Sequence, residues 1–195
     1  VFTNVSVGTF ETWRINYTAG LALSRLGWKA EREYGFFESN ISWKQKFSIY
    51  HNLQADRLTA GRLGNTESGA ALSRSFLTAR LQPTRWLALD FNHNYFRTIP
   101  TFDLLLVGTG ILDKFLFDGL SAGFRLELPR QISLYGNLGQ SKRNDDPRGS
   151  LNQMYGVSVR DVLGTGFRGD VRHSIFHGSF GNGWYQSVSI GREIN

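Results

Sequence analysis

Cysteine is absent from the 195 residues, which excludes a disulfide framework and thiolate metal sites. Long apolar runs are also missing. The richest, from Leu104 to Leu112, is broken by Gly108, Thr109 and Gly110 and reaches only half the ~18 residues that mark a membrane-spanning helix. Charge is scarce at 19% while aromatic residues reach 14%, so the chain is not of the disordered class. No basic-then-apolar leader precedes Val1, as expected of a mature or excised segment. Lysine is rare beside arginine, 5 against 17. The formal charge of +6 and isoelectric point near 9.8 favour an anionic partner or surface.

What the sequence does contain is alternation. Leu87, Leu89, Phe91 and Tyr95 fall on one side of a strand, and Asp90, Asn92 and Asn94 on the other. Residues 119–128 repeat the pattern, with Leu120, Ala122, Phe124 and Leu126 against Ser121, Gly123, Arg125 and Glu127. So do 150–161, with Leu151, Tyr155, Val157 and Val159 against Asn152, Ser158 and Arg160. In 166–177, Phe167, Val171 and Ile175 oppose Arg168, Asp170 and Arg172. Residues 11–23, 41–50, 131–141 and 184–194 alternate as well; 1–8, 28–37 and 54–63 do so weakly. The pattern predicts one all-β domain over 1–195 with about twelve antiparallel strands, each near the ~9–11 residues that cross a bilayer at a tilt. Brief links at 82–84, 129–130 and 163–165 alternate with longer ones at 64–69, 98–118, 142–149 and 178–183, as in an up-and-down meander. An even count places both chain ends beside the short turns.

In the apolar register of the clearer strands only Arg192 carries a charge. The opposite register holds nine cations (Arg14, Lys44, Lys46, Arg74, Arg80, Arg125, Arg160, Arg168, Arg172) and four anions (Asp90, Glu127, Asp170, Glu193), a balance of +5. Two architectures satisfy this. A soluble sandwich or lipocalin-like barrel turns the apolar face inward. A transmembrane barrel turns it to lipid, where a mid-depth Arg or Lys costs ~2–4 kcal/mol. Three features favour the membrane: the one-sided link lengths, the preference for arginine, whose planar fork pairs well when partly desolvated, and aromatic residues near strand ends such as Trp13, Trp43, Trp86 and Trp184.

The hairpins Leu120–Ser141, with its Pro129-Arg130 turn, and Leu151–His177 resemble bacterial outer-membrane β-barrel proteins, especially the porin-like barrel domains found at the C-terminal end of longer envelope proteins. The resemblance implies an antiparallel up-and-down transmembrane β-barrel with short periplasmic turns and longer outer loops, located in the bacterial outer membrane. Leu87, Leu89, Phe91, Phe124, Leu126, Val157, Val159 and Val171 would then face lipid. Arg74, Arg80, Asp90, Arg125, Glu127, Arg160, Arg168, Asp170 and Arg172 would line the lumen. Such barrels commonly end in an aromatic residue, whereas this chain ends Gly191-Arg192-Glu193-Ile194-Asn195, so either the signal is degenerate or the chain continues.

Other motifs carry little chemistry. Gly119-Leu120-Ser121-Ala122-Gly123 has the letters of a nucleophile elbow but lies within a strand pattern. Among the histidines, His93 (between Asn92 and Asn94) and His173 (before Ser174) are the raw material for a Ser–His–Asn lipid hydrolase; an interfacial imidazole is the plainer reading. Arg168-Gly169-Asp170 reads as a lumen ion pair, Asn144-Asp145-Asp146 as turn residues, and Gly108-Thr109-Gly110 lacks a nucleotide-loop context. The long link 98–118 is a candidate constriction at the barrel mouth or a contact with another subunit; the alternative is a short helix or extra hairpin on the barrel rim. The expectation is a passive pore or envelope anchor with a basic lumen and an anion bias if open. No enzyme activity, catalytic residue, cofactor, metal or nucleic acid is expected; the partners are outer-membrane lipid and other envelope proteins or copies of the chain. The alternatives are an outer-membrane lipid hydrolase and a soluble β-barrel or sandwich binding a small ligand or nucleic acid.

Overall fold

The computed structural model describes residues 1–9, 11–44, 46–58, 69–97, 116–143, 146–160, 166–178 and 181–192. Eleven strands follow one another: β1 (Phe2–Gly8), β2 (Trp13–Leu26), β3 (Lys29–Trp43), β4 (Phe47–Leu58), β5 (Gly69–Thr84), β6 (Leu87–Arg97), β7 (Leu116–Leu128), β8 (Ile132–Arg143), β9 (Asp146–Val159), β10 (Phe167–Gly178) and β11 (Gly181–Arg192). They form a single sheet in chain order, each strand antiparallel to its neighbours. The described residues contain no α-helix, only the 3-10 turn Pro129–Gln131. Among the described residues no helix is long and apolar enough to cross a membrane. The all-β meander is as the alternation predicts.

The strand count is eleven among the described residues, not twelve, and this changes the placement of the chain ends. Each strand reverses the last, so β1 begins at the end of the sheet that holds the links 27–28, 59–68, 98–115, 144–145 and 179–180. β11 finishes at the opposite end, with the links 9–12, 44–46, 85–86, 129–131 and 160–166. The two longest links, 59–68 and 98–115, do share one end, as expected. The expected loops at 142–149 and 178–183 do not exist as such: β8, β9, β10 and β11 run into them and leave two-residue links. Both segments carry hairpin residues (Asp-Asp-Pro, Gly-Ser-Phe-Gly), which signal a loop by composition but also occupy strand ends.

Direct cross-strand partners share a face, so the register can be followed across the whole sheet. One row reads Val7, Ile15, Ile41, Ile49, Ala79, Phe91, Ala122, Leu138, Gln153, Ile175, Trp184, without a charge over eleven strands. One residue away, on the other face, the row reads Gly8, Arg14, Ser42, Ser48, Arg80, Asp90, Gly123, Asn137, Met154, Ser174, Tyr185. Leu87, Leu89, Phe124, Leu126, Val157, Val159 and Val171 belong to the first face.

Burial is inverted relative to a globular core. No hydrophobic residue among the described ones is buried, whereas Ser133 (0%), Asp56 (2%) and Ser73 (3%) are. Val188 and Ile190 stand 67% and 74% exposed, and Leu89, Leu120, Phe124, Val157 and Val171 are exposed too. The described residues provide no second layer to cover the apolar face.

Several glycines accept an aromatic ring from the strand beside them. Phe36 lies over Gly20, Phe124 over Gly136, Tyr135 over Gly156 and Phe176 over Gly183, each pair directly opposite in register. A Cβ at Gly156 would fall 2.2 Å from Tyr135 Cζ. The missing side chain lets the ring lie flat across the neighbouring strand, which shields that strand's backbone and pins the register.

The polar face as candidate functional site

The charged side chains converge on the face that carries Arg80 and Asp90, which are direct partners on β5 and β6. Asp90 in turn leans over Gly123 of β7, whose absent Cβ would fall 2.6 Å from the Asp90 Oδ2 atom. Near the end of β7, Arg125 Nε donates to Glu127 Oε1 at 2.7 Å, and Ser133 Oγ donates to Glu127 Oε2 at 2.5 Å. Arg160 Nη2 stands 3.9 Å from the same carboxylate. On β8 the Tyr135 hydroxyl crosses β9 at Gly156 and donates to Asp170 Oδ2 of β10 at 2.8 Å. Arg172 and Ser174 follow Asp170 on this face; Arg172 Nε and Ser174 Oγ are inaccessible and have no hydrogen-bond partner among the described residues.

At the opposite end of the sheet Arg32 of β3 grips Asp56 of β4 with two nitrogens, Nε at 2.5 Å and Nη2 at 3.1 Å. Its Nη2 also reaches Gln54 Oε1 at 3.4 Å, and its Cζ lies 4.2 Å above the Tyr34 ring. The paired carboxylate is almost fully buried, so the fork supplies the charge and the donors that burial removes.

The nine residues assigned from sequence to one charged face are Arg74, Arg80, Asp90, Arg125, Glu127, Arg160, Arg168, Asp170 and Arg172. The eight lying in strands do share a face by register, and Arg160 continues β9 on the same side. The register reading missed Arg32, Glu38 and Asp56, which lie on it too. It also left out Tyr50 and Phe76, which meet edge to face at 5.9 Å here. A signal existed for Glu38, which sits opposite Thr18 and Asn52, polar positions of the adjoining strands.

On the apolar face, charges beyond Arg192 occur, but only at strand ends. Glu33 accepts from Arg57 at 3.2 Å, and Asp118 pairs in register with Lys142, all at the end holding the long links. His93 Nε2 lies 2.9 Å from Asp118 Oδ1 rather than beside a serine, and Asn92 and Asn94 point to the other face. His173 packs its ring 5.9 Å from that of Trp184, while Ser174 faces the other way. The histidine that does meet a serine is His51, with Nε2 3.3 Å from Ser75 Oγ. No group of three His, Cys, Asp or Glu among the described residues is disposed to hold a metal ion.

Residues 119–123 lie inside β7 with no strand-to-helix turn, so the elbow pattern has no elbow. Most of the proposed constriction 98–118, along with 108–110 and 144–145, lies outside the described residues; 116–118 open β7. No protein family, curated protein or solved structure matches the chain.

Proposed function

We propose that this chain is a bacterial outer-membrane β-barrel whose apolar face meets lipid and whose polar face lines the interior, serving as a passive pore or as an envelope anchor. One observation carries the reading: the described residues bury no apolar side chain, yet an uncharged row of eleven positions crosses the entire sheet on one face. In water that face would need a second layer, because monomeric soluble proteins rarely expose contiguous apolar patches beyond a few hundred Å². In lipid it needs none. Confinement of Glu33, Arg57, Asp118, Lys142 and Arg192 to strand ends fits the low cost of charge near an interface against ~2–4 kcal/mol at mid-depth. On β9 the run Leu151 to Val159 spans about 27 Å at ~3.4 Å per residue, close to the height of an apolar band once tilted.

The interior would be basic. Arg14, Arg32, Arg74, Arg80, Arg125, Arg160, Arg168 and Arg172 outnumber Glu38, Asp56, Asp90, Glu127 and Asp170 by eight to five. An open lumen of this sign favours anions; a lumen filled by Tyr50, Phe76, Tyr135 and the ion pairs leaves an anchor.

The test is a pair of variants read by gel mobility before and after boiling in detergent, with unfolding in phospholipid vesicles alongside. Wild type is expected to run as a folded, SDS-resistant form until boiled. Val157→Arg is expected to lose about 2–4 kcal/mol of stability in vesicles, and Ser158→Arg, one residue on and facing inward, far less. A chain that is soluble without detergent and shows no mobility shift would overturn the reading.

A further inference from the structure

At the end of the sheet with the links 44–46 and 85–86, a concavity of about 400 Å³ is lined by Lys44, Lys46, Gln82, Pro83, Thr84 and Arg85. Its construction follows from an irregular strand. The register of β5 with β6 slips between Leu81 and Thr84, so Gln82 and Pro83 leave the ladder. Gln82 N instead donates to Lys46 O at 2.6 Å, which ties the bulge to the β3–β4 turn. That turn is braced from its other side, where Lys44 N donates to Thr12 O at 3.2 Å. Lys44 is held in the left-handed region at φ 45°, a conformation that a side-chain-bearing residue adopts at a cost. Among the described residues neither lysine nor Arg85 has an ion-pair partner, and Thr84 Oγ1 is inaccessible with no hydrogen-bond partner.

Three cations converge on one small hollow, and their mutual repulsion is relieved when an anion occupies it. Two lysine ammoniums and an arginine fork match an oxyanion with several acceptor oxygens. The apolar face lies directly alongside: Trp43, the residue before Lys44, stacks on Trp13 at 5.7 Å, Leu81 is exposed, and Trp86 beside Arg85 is 53% exposed. Tryptophan with flanking cations is the arrangement favoured at a membrane–water interface, where long basic side chains reach the headgroups.

The geometry points to a binding site for the phosphate of an anionic phospholipid headgroup, formed by Lys44, Lys46 and Arg85 at this rim, with the lipid's chains along the Trp13–Trp43 face. The inference rests on the membrane reading above, and the membrane reading does not depend on it.

The full chain is placed in a phosphate-free maltoside detergent and titrated separately with short-chain phosphatidylglycerol, with phosphatidylcholine and with inorganic phosphate, read by tryptophan fluorescence and native mass spectrometry. Phosphatidylglycerol is expected to bind at one saturable site at least tenfold tighter than phosphatidylcholine, weakening with added salt. Lys44→Gln/Lys46→Gln/Arg85→Gln is expected to lose at least tenfold, whereas Lys142→Gln, at the far end of the sheet, loses nothing. Equal binding of the two lipids, an unaffected triple variant, or an equal loss in K142Q overturns the site. If inorganic phosphate binds as tightly as phosphatidylglycerol and is lost in the triple variant, the oxyanion chemistry stands but the occupant is free anion, which overturns the lipid assignment. The heat-dependent gel shift of each variant reports folding, and Arg85→Gln alone, expected to lose about threefold, replaces the triple variant if that one fails to fold. A wild-type chain with no gel shift sinks the membrane reading; a normal gel shift without preference for the anionic lipid sinks only this site.

Discussion

Substituting Gly156 by alanine tests how far ring-over-glycine packing sets the register of β8, β9 and β10. The new Cβ would fall 2.2 Å from Tyr135 Cζ and 2.4 Å from its hydroxyl oxygen, so the ring has to leave. Moving it breaks the 2.8 Å bond to Asp170 on the strand beyond. Overpacking costs about 1–3 kcal/mol, and a hydrogen bond to a charged group contributes about 1.5–3 kcal/mol. Replacing glycine within a strand returns about 0.5–1 kcal/mol. The net expectation for Gly156→Ala is a loss of about 3 kcal/mol. With Tyr135→Ala already present there is no ring to displace, and the same change becomes neutral or slightly stabilising. A four-variant cycle, followed by tryptophan fluorescence during urea unfolding in vesicles, should therefore show a coupling of about 3–4 kcal/mol between the two positions. Equal costs of Gly156→Ala with and without Tyr135 would refute the reasoning.

Further outcomes follow from the same geometry. Asp56→Ala strands the Arg32 guanidinium and should cost about 3 kcal/mol, the low end for a broken buried pair because Arg32 is partly exposed; urea unfolding measures it. Arg130 and Gln131 both hold positive φ (64° and 59°), so Arg130→Asn with Gln131→Gly should stabilise the β7–β8 hairpin by roughly 1 kcal/mol, seen as a higher midpoint. In planar bilayers under a salt gradient, wild type should give an anion-selective reversal potential that Arg80→Gln with Arg172→Gln moves toward zero; cation preference in wild type contradicts the basic-lumen proposal.

The second half of the sheet was legible in the sequence because its strands alternate cleanly: Val157 on β9 and Val171 on β10 are predicted on one face and are direct partners. The first half was harder for identifiable reasons. β3 carries Glu33 and Glu38 on opposite faces and Phe36 and Phe37 side by side, so neither face of the segment reads as apolar. Register also shifts between Ser24 and Arg25, and between Gln54 and Ala55, and each shift breaks the period-two count that locates neighbours. The polar-face pairs depended on partners distant in sequence: the Arg32–Asp56 grip spans 24 residues and Tyr135–Asp170 spans 35, separations that no local pattern encodes. Short links failed for a similar reason, since polar turn residues at 142–149 and 178–183 do not mark where pairing stops.

An odd number of strands has a practical corollary. Because β1 starts at one extremity of the sheet and β11 stops at the other, a peptide tag ahead of Val1 and another after Asn195 emerge on opposite sides of any barrier the sheet crosses. Antibody or protease applied from outside intact cells would then reach one tag and spare the other, and which one it reaches would fix the orientation of every strand at once.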